Sequence, residues 1–94
     1  MNTLSLIIPF YNEEAAVEPL AERLRPVLRR LSDTWTVELL LVDDGSTDET
    51  AALLRRRFDD GLPCSTRILR HETNRGLGAA LRTGFAAATG DIVC

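Results

Sequence analysis

With 94 residues, 45% of them hydrophobic and 27% charged, the chain has length for one small domain and no second. A net charge of −3 argues against a nucleic-acid backbone as main partner, because phosphate binding needs clustered positive charge. The 11 strongly basic residues are all arginine, which removes any Schiff-base or P-loop lysine chemistry from this stretch.

Leu4–Pro9 reads as a first strand, nearly continuous in apolar character. Val17, Leu20, Leu24, Val27, Leu28 and Leu31 recur at helical spacing and predict an amphipathic helix over Ala15–Arg30. Pro19 suits a position near its start, whereas Pro26 is expected to kink the helix or end it early. Val37–Val42 is the second strand. Asp48–Phe58 is a second helix with Leu54 and Phe58 inward and Arg55, Arg56 and Arg57 as a solvated, dipole-complementing end. Residues 59–63 form a loop and Ser65–Leu69 a third strand. A third helix carries Leu77, Ala80, Leu81, Gly84, Phe85 and Ala88 on one face, stops at Thr89-Gly90, and gives way to a fourth strand begun by Asp91–Cys94. Strand and helix alternating at this rhythm predict an α/β fold with a parallel sheet and right-handed crossovers.

Cys64 and Cys94 have no CxxC spacing and read as free thiols, and His71 lacks ligand companions and reads as a packed or solvated histidine. The first residues lack the charge and apolar length of a signal peptide, and no segment approaches a membrane span; the stretch is expected to be soluble.

The chemistry concentrates where strands end. The run Leu39–Val42 leads into two adjacent carboxylates, Asp43 and Asp44, at the edge where open α/β sheets bind ligands. Gly45 turns the chain, and Ser46 with Glu49 makes a capping-box pattern. The loop after strand one, Phe10-Tyr11-Asn12-Glu13-Glu14, has no glycine, so it offers no backbone approach to a dinucleotide pyrophosphate. It offers a ring to pack a base and carboxylates to accept from base N–H groups, although Asn12 and the glutamates could equally just start the helix. Gly76-Leu77-Gly78-Ala79-Ala80-Leu81 imitates a dinucleotide fingerprint, but Leu81 stands where its last glycine or alanine belongs. Close backbone packing is the better reading there than phosphate contact.

Three loops taken together, P-F-Y-N-E-E, V-D-D-G-S-T-D-E-T and N-R-G-L-G-A-A-L-R-T-G-F-A-A-A-T-G-D-I-V, resemble the inverting family 2 glycosyltransferases, and within them the dolichol- or polyprenol-phosphate sugar transferases. The resemblance implies a Rossmann-like GT-A nucleotide-sugar-binding fold, three layers α/β/α with parallel strands, of which residues 1–94 would be the incomplete N-terminal part, cut after the fourth strand begins. It places Pro9, Tyr11, Asn12 and Glu13 at the nucleoside, Val42 packed on the base, and Asp44 accepting a hydrogen bond from it. Asp43 would point elsewhere, and Asn74, Arg75 and Gly76 would close the rim.

The implied reaction moves a sugar from a UDP- or GDP-sugar to an acceptor, plausibly a polyprenyl phosphate, with inversion. Mg²⁺ or Mn²⁺ and the acceptor-activating base would be held beyond Cys94; Asp91 is not expected to bind metal, and no catalytic residue falls in this stretch. Residues 1–94 alone are thus expected to be catalytically silent, marginally stable and prone to self-association through unpaired strand edges, with the parent protein cytoplasmic or at the cytoplasmic face of a membrane. A non-catalytic nucleotide-binding α/β module is the alternative. A phosphoacceptor receiver domain fits worse, since it needs a lysine and acids after the first strand.

Overall fold

Strands and helices alternate through seven elements in the computed structural model, which describes residues 2–58 and 62–94. Strands β1 (Thr3–Phe10), β2 (Thr36–Asp44), β3 (Ser65–His71) and β4 (Ile92–Val93) form one sheet in the order β3-β2-β1-β4, all pairs parallel. The first three outrun the apolar stretches that announce them, because ladder pairing continues past the apolar residues. Phe10 pairs with Asp43, and Asp44 with His71. Asp43 and Asp44 therefore lie inside β2 and not beyond it.

Helices α1 (Glu14–Leu31) and α2 (Thr50–Phe58) cover one face of the sheet, and α3 (Leu77–Ala87) covers the other. Alternation along β2 sorts its side chains between these layers. Val37, Leu39 and Leu41 join Val17, Leu28, Leu54 and Phe58, while Leu40 and Val42 join Ile7 and Ala80 beneath α3. The architecture is the expected α/β/α sandwich around a parallel sheet.

Three local expectations are corrected. Pro26 does not end α1, which runs through Pro19 and Pro26 to Leu31. The two prolines stand seven residues apart on the exposed face, so the carbonyls they leave unpaired face solvent and the buried stripe is intact. The capping box does not form, because Ser46 accepts from Asn12 and the Glu49 N–H goes to the Glu14 carboxylate. Asp48 takes over, accepting the Thr50 N–H at 2.9 Å, and α2 starts at Thr50. Arg55 and Arg56 are exposed as expected, but Arg57 is only half-exposed and also pairs with Glu18 on α1. Of the loop expected at 59–63, residues 59–61 lie outside the described residues.

The face of α3 also differs from the periodicity. Ala79, Ala80 and Gly84 are buried, whereas Leu77 is 64% and Phe85 52% exposed. The cause is close approach on small residues: a Cβ at Gly84 would sit 2.4 Å from Ile7 Cγ2. The helix lies on its Ala80–Gly84 stripe, which turns Leu77 and Phe85 away from the sheet. Gly84→Ala is expected to destabilise the fold by about 1–3 kcal/mol through overpacking. In chemical denaturation, Ile7→Ala should cost less in that background than in the wild type, and strictly additive values would contradict the contact.

Candidate functional site

Loops at the carboxyl ends of β1, β2 and β3 meet, held together by hydrogen bonds that cross between them. Asn12 adopts a left-handed φ of 50°, which asparagine tolerates better than most residues. Its N–H donates to Ser46 Oγ at 2.9 Å, and its side-chain oxygen accepts the Thr47 N–H at 2.8 Å. The Glu13 N–H donates to Thr50 Oγ1 at 2.9 Å. The polar atoms of Asn12 thus latch the first loop to the second, a role that its sequence position alone does not reveal.

The two acids part company as strand geometry requires. Asp43 is fully buried; one carboxylate oxygen accepts the Ser46 N–H at 3.2 Å, and the other lies 3.5 Å from the Arg70 guanidinium. Asp44 faces α3 and gathers the third loop around itself. Its Oδ1 accepts from His71 Nδ1 at 2.7 Å and the Arg75 N–H at 2.9 Å. Its Oδ2 accepts from the Gly76 N–H at 2.9 Å and the Asn74 amide at 3.1 Å. A carboxylate offers about four lone-pair sites, and all are engaged within the chain. Asp44 is accordingly not an idle acceptor; it organises the wall on which it stands.

Beside that wall lies a cavity of about 340 Å³ bounded by Pro9 and Phe10 at the end of β1, Tyr11 and Glu13 of the first loop, Asp44, Asn74, and Leu77 and Ala80 of α3. Of the residues singled out in the sequence, Pro9, Tyr11, Glu13, Asp44 and Asn74 are brought together here. Asn12 and Gly76 act as latch and turn and do not line it. Val42, expected on the base, is completely buried with Ile7, Leu40 and Ala80, so core packing keeps it from the cavity. Leu77, which periodicity groups with Ala80 and Gly84 on one helix face, is instead an exposed apolar wall; the signal was an isolated leucine directly after the Asn-Arg-Gly turn.

A larger cavity, about 590 Å³, lies at the opposite edge of the sheet between Trp35, Glu38, Cys64 and Arg67. Its charged groups are already matched. Glu38 accepts from Ser5, from the Thr89 N–H and from the Thr89 hydroxyl, and Arg67 donates to the Ala87 carbonyl. The smaller cavity is the candidate site. Cys64 and Cys94 are free; burial pushes the Cys64 thiol up from its ordinary value.

Burial alone would raise the Asp44 and Glu38 carboxyls, but the hydrogen bonds they accept outweigh it and hold both below the usual range. A depressed folded-state value stabilises the fold above the unfolded value, and the contribution is lost as pH falls through the folded one. The melting temperature is therefore expected to be flat from about pH 7 to 5 and to fall below about pH 4. Glu38→Gln should flatten that acid limb in a series of thermal melts, and an unchanged limb would count against the network. Among the described residues no three His, Cys, Asp or Glu side chains are placed to hold a metal ion. No described helix is long and apolar enough to cross a membrane.

Comparison with known proteins agrees with this fold. The chain is 37% identical over 93 residues to the undecaprenyl-phosphate 4-deoxy-4-formamido-L-arabinose transferase of Pectobacterium carotovorum, covering 99% of this chain and 28% of that protein. It is 40% identical over 91 residues to the dodecaprenyl-phosphate galacturonate synthase of Rhizobium johnstonii, covering 96% and 26%. The chain thus spans about a quarter of the length of these curated relatives. Among solved structures it resembles the mannosyltransferase PcManGT of Pyrobaculum calidifontis in complex with GDP-Man and Mn²⁺. That match has a TM-score of 0.73 and 30% identity over 96% of this chain and 25% of the other. The S. aureus TarS 1-349 structure, TM-score 0.72 at 24% identity, bears on the fold alone and covers 99% and 26%. Both neighbours share the parallel sheet and flanking helices of the GT-A type. Residues 5–94 match the family pattern described as glycosyl transferase family 2, and the chain belongs to that family.

Proposed function

We propose that residues 1–94 are the donor-nucleotide-binding part of a glycosyltransferase that moves a sugar from a UDP- or GDP-sugar to a polyprenyl phosphate, with inversion. The observation that carries this reading is the cavity in which the Tyr11 ring, the Glu13 carboxylate and Asp44 converge at the carboxyl edge of a parallel sheet. Tyr11, 45% exposed, supplies a face for a base. Glu13 is an acceptor for base or ribose donors. A base N–H that reaches Asp44 would take the place of the longest bond to its carboxylate, the 3.1 Å one from Asn74. Pro9 and Leu77 form the apolar sides.

The polyprenyl-phosphate acceptor is supported by the names of the Pectobacterium and Rhizobium relatives, and Mg²⁺ or Mn²⁺ by the Mn²⁺ in the Pyrobaculum complex. Held by residues outside this stretch, such a metal would offset charge on the leaving diphosphate. A lipid-borne acceptor also favours a location at the cytoplasmic face of a membrane for the full protein.

Tyr11→Ala is expected to weaken UDP or GDP binding about fivefold or more, through loss of aromatic contact. NADH should show no saturable binding, since the glycine-free first loop keeps backbone away from a pyrophosphate. Calorimetry on the full-length protein tests both. NADH binding tighter than that of either nucleotide would overturn the proposal.

A further inference from the structure

His71 is the chain's single histidine and the last residue of β3, only 6% exposed and outside the cavity lining. Its two ring nitrogens are engaged on opposite sides, Nδ1 with Asp44 Oδ1 at 2.7 Å and Nε2 with Thr83 Oγ1 of α3 at 2.7 Å. An ionised carboxylate only accepts, so the proton between ring and Asp44 sits on Nδ1. In the neutral ring Nε2 is then the acceptor, and the Thr83 hydroxyl donates to it. Asp44 in turn holds the Arg75 and Gly76 N–H groups. One continuous line of hydrogen bonds therefore runs from the middle of α3, through the imidazole, to the loop that borders the cavity.

Hydroxyl, imidazole and carboxylate in this order also form the series of a nucleophilic triad. That reading fails here. Thr83 stands mid-helix, outside the cavity lining, so no substrate in the cavity meets its hydroxyl.

We propose that His71, braced by Thr83, is a positioning residue of the nucleotide pocket: it fixes the orientation of the Asp44 carboxylate and so places Asn74 and the Arg75–Gly76 backbone at the rim. The inference rests on the nucleotide-binding reading above. Its physical basis is the rigidity of the ring, which bridges two elements at fixed separation. Asp44 alone could turn about its side-chain torsions, and Gly76, at φ 94°, has no side chain to hold it. With Nε2 anchored, the ring cannot rotate and neither can the carboxylate it grips.

The test uses the full-length protein with UDP and GDP as probes. Thr83→Val removes the hydroxyl and keeps the shape, and is expected to weaken nucleotide binding about three- to tenfold. Thr83→Ser keeps the hydroxyl and should bring affinity back to within about twofold of wild type. A merely packing role predicts the reverse order, and Thr83→Ser binding as weakly as Thr83→Val would overturn the proposal. Long-range ¹H–¹⁵N spectra, with the ring assigned by its loss in His71→Asn, should show Nδ1 protonated at neutral pH. A ring protonated on Nε2 alone would also overturn it, and that measurement on wild type stands even where a variant fails to fold. If wild type binds neither UDP nor GDP, the functional reading falls. The tautomer, and the Arg75 and Gly76 amide shifts in Thr83→Val against Thr83→Ser, would then still decide whether the ring positions the loop.

Discussion

Asp44→Ala is expected to destabilise the fold by about 3 kcal/mol, because it leaves one buried donor and three part-buried donors unpaired; the buried one alone costs about 1–3 kcal/mol and the others less, non-additively. The donors are the His71 ring, the Arg75 and Gly76 N–H groups and the Asn74 amide. Nucleotide affinity should fall roughly tenfold or more in the full-length protein, through loss of the pocket wall and of a charge-assisted acceptor. Asp44→Asn keeps the shape but turns an amide donor toward groups that themselves donate, so it should rescue little. Asp43→Ala removes one 3.2 Å bond from Ser46 on the far face of β2, and should leave affinity far less changed. Chemical denaturation and calorimetry with UDP and GDP check the series. Equal affinities for wild type, Asp44→Ala and Asp44→Asn would sink the assignment of Asp44 to the site.

Gly45→Ala is expected to be as damaging, for a steric reason. Gly45 has φ 72°, where an alanine side chain is strained by about 1–2 kcal/mol. More severely, its Cβ would lie 2.3 Å from the Thr73 carbonyl carbon and 2.4 Å from the Asn74 nitrogen. These are backbone atoms and cannot swing aside as a side-chain tip can. The loop carrying Asn74 must move, and with it the donors that surround Asp44, so the total cost should reach about 3 kcal/mol or more. Gly76 gives the control. Its φ is 94°, yet a Cβ there meets nothing within 4 Å, so Gly76→Ala carries strain alone, about 1–3 kcal/mol. Gly45→Asn, which eases the backbone conformation but not the clash, should rescue poorly. Equal stabilities for Gly45→Ala and Gly76→Ala in denaturant titrations would contradict the close approach.

Element order, the parallel sheet and the edge that carries the site were legible in the chain itself. Short apolar runs such as Leu39–Val42 and helical periodicity are local signals, set by which side chains must leave water. The motif residues Pro9, Tyr11, Glu13, Asp44 and Asn74 could be placed at one edge because strand ends in a parallel sheet share that edge. Sequence reasoning went wrong where a neighbouring element decided the outcome. Pro26 is tolerated because the face of α1 it occupies is exposed, and Leu77 is exposed because Gly84 lets α3 settle against Ile7.

Only the tertiary structure assigned the polar partners. Asp44 and His71 are 27 residues apart, Asn12 and Thr47 35 apart, and Glu38 and Thr89 51 apart. Nothing local distinguishes an aspartate that waits for a ligand from one whose lone pairs its own chain fills. A hydrogen bond depends on distances of a few tenths of an ångström between groups far apart in sequence, whereas burial of apolar surface is non-directional and leaves its periodic trace in the sequence. That difference is why the fold of this chain could be read from its residues, whereas the hydrogen-bond partners of Asn12, Asp44 and His71 and the burial of Val42 could not.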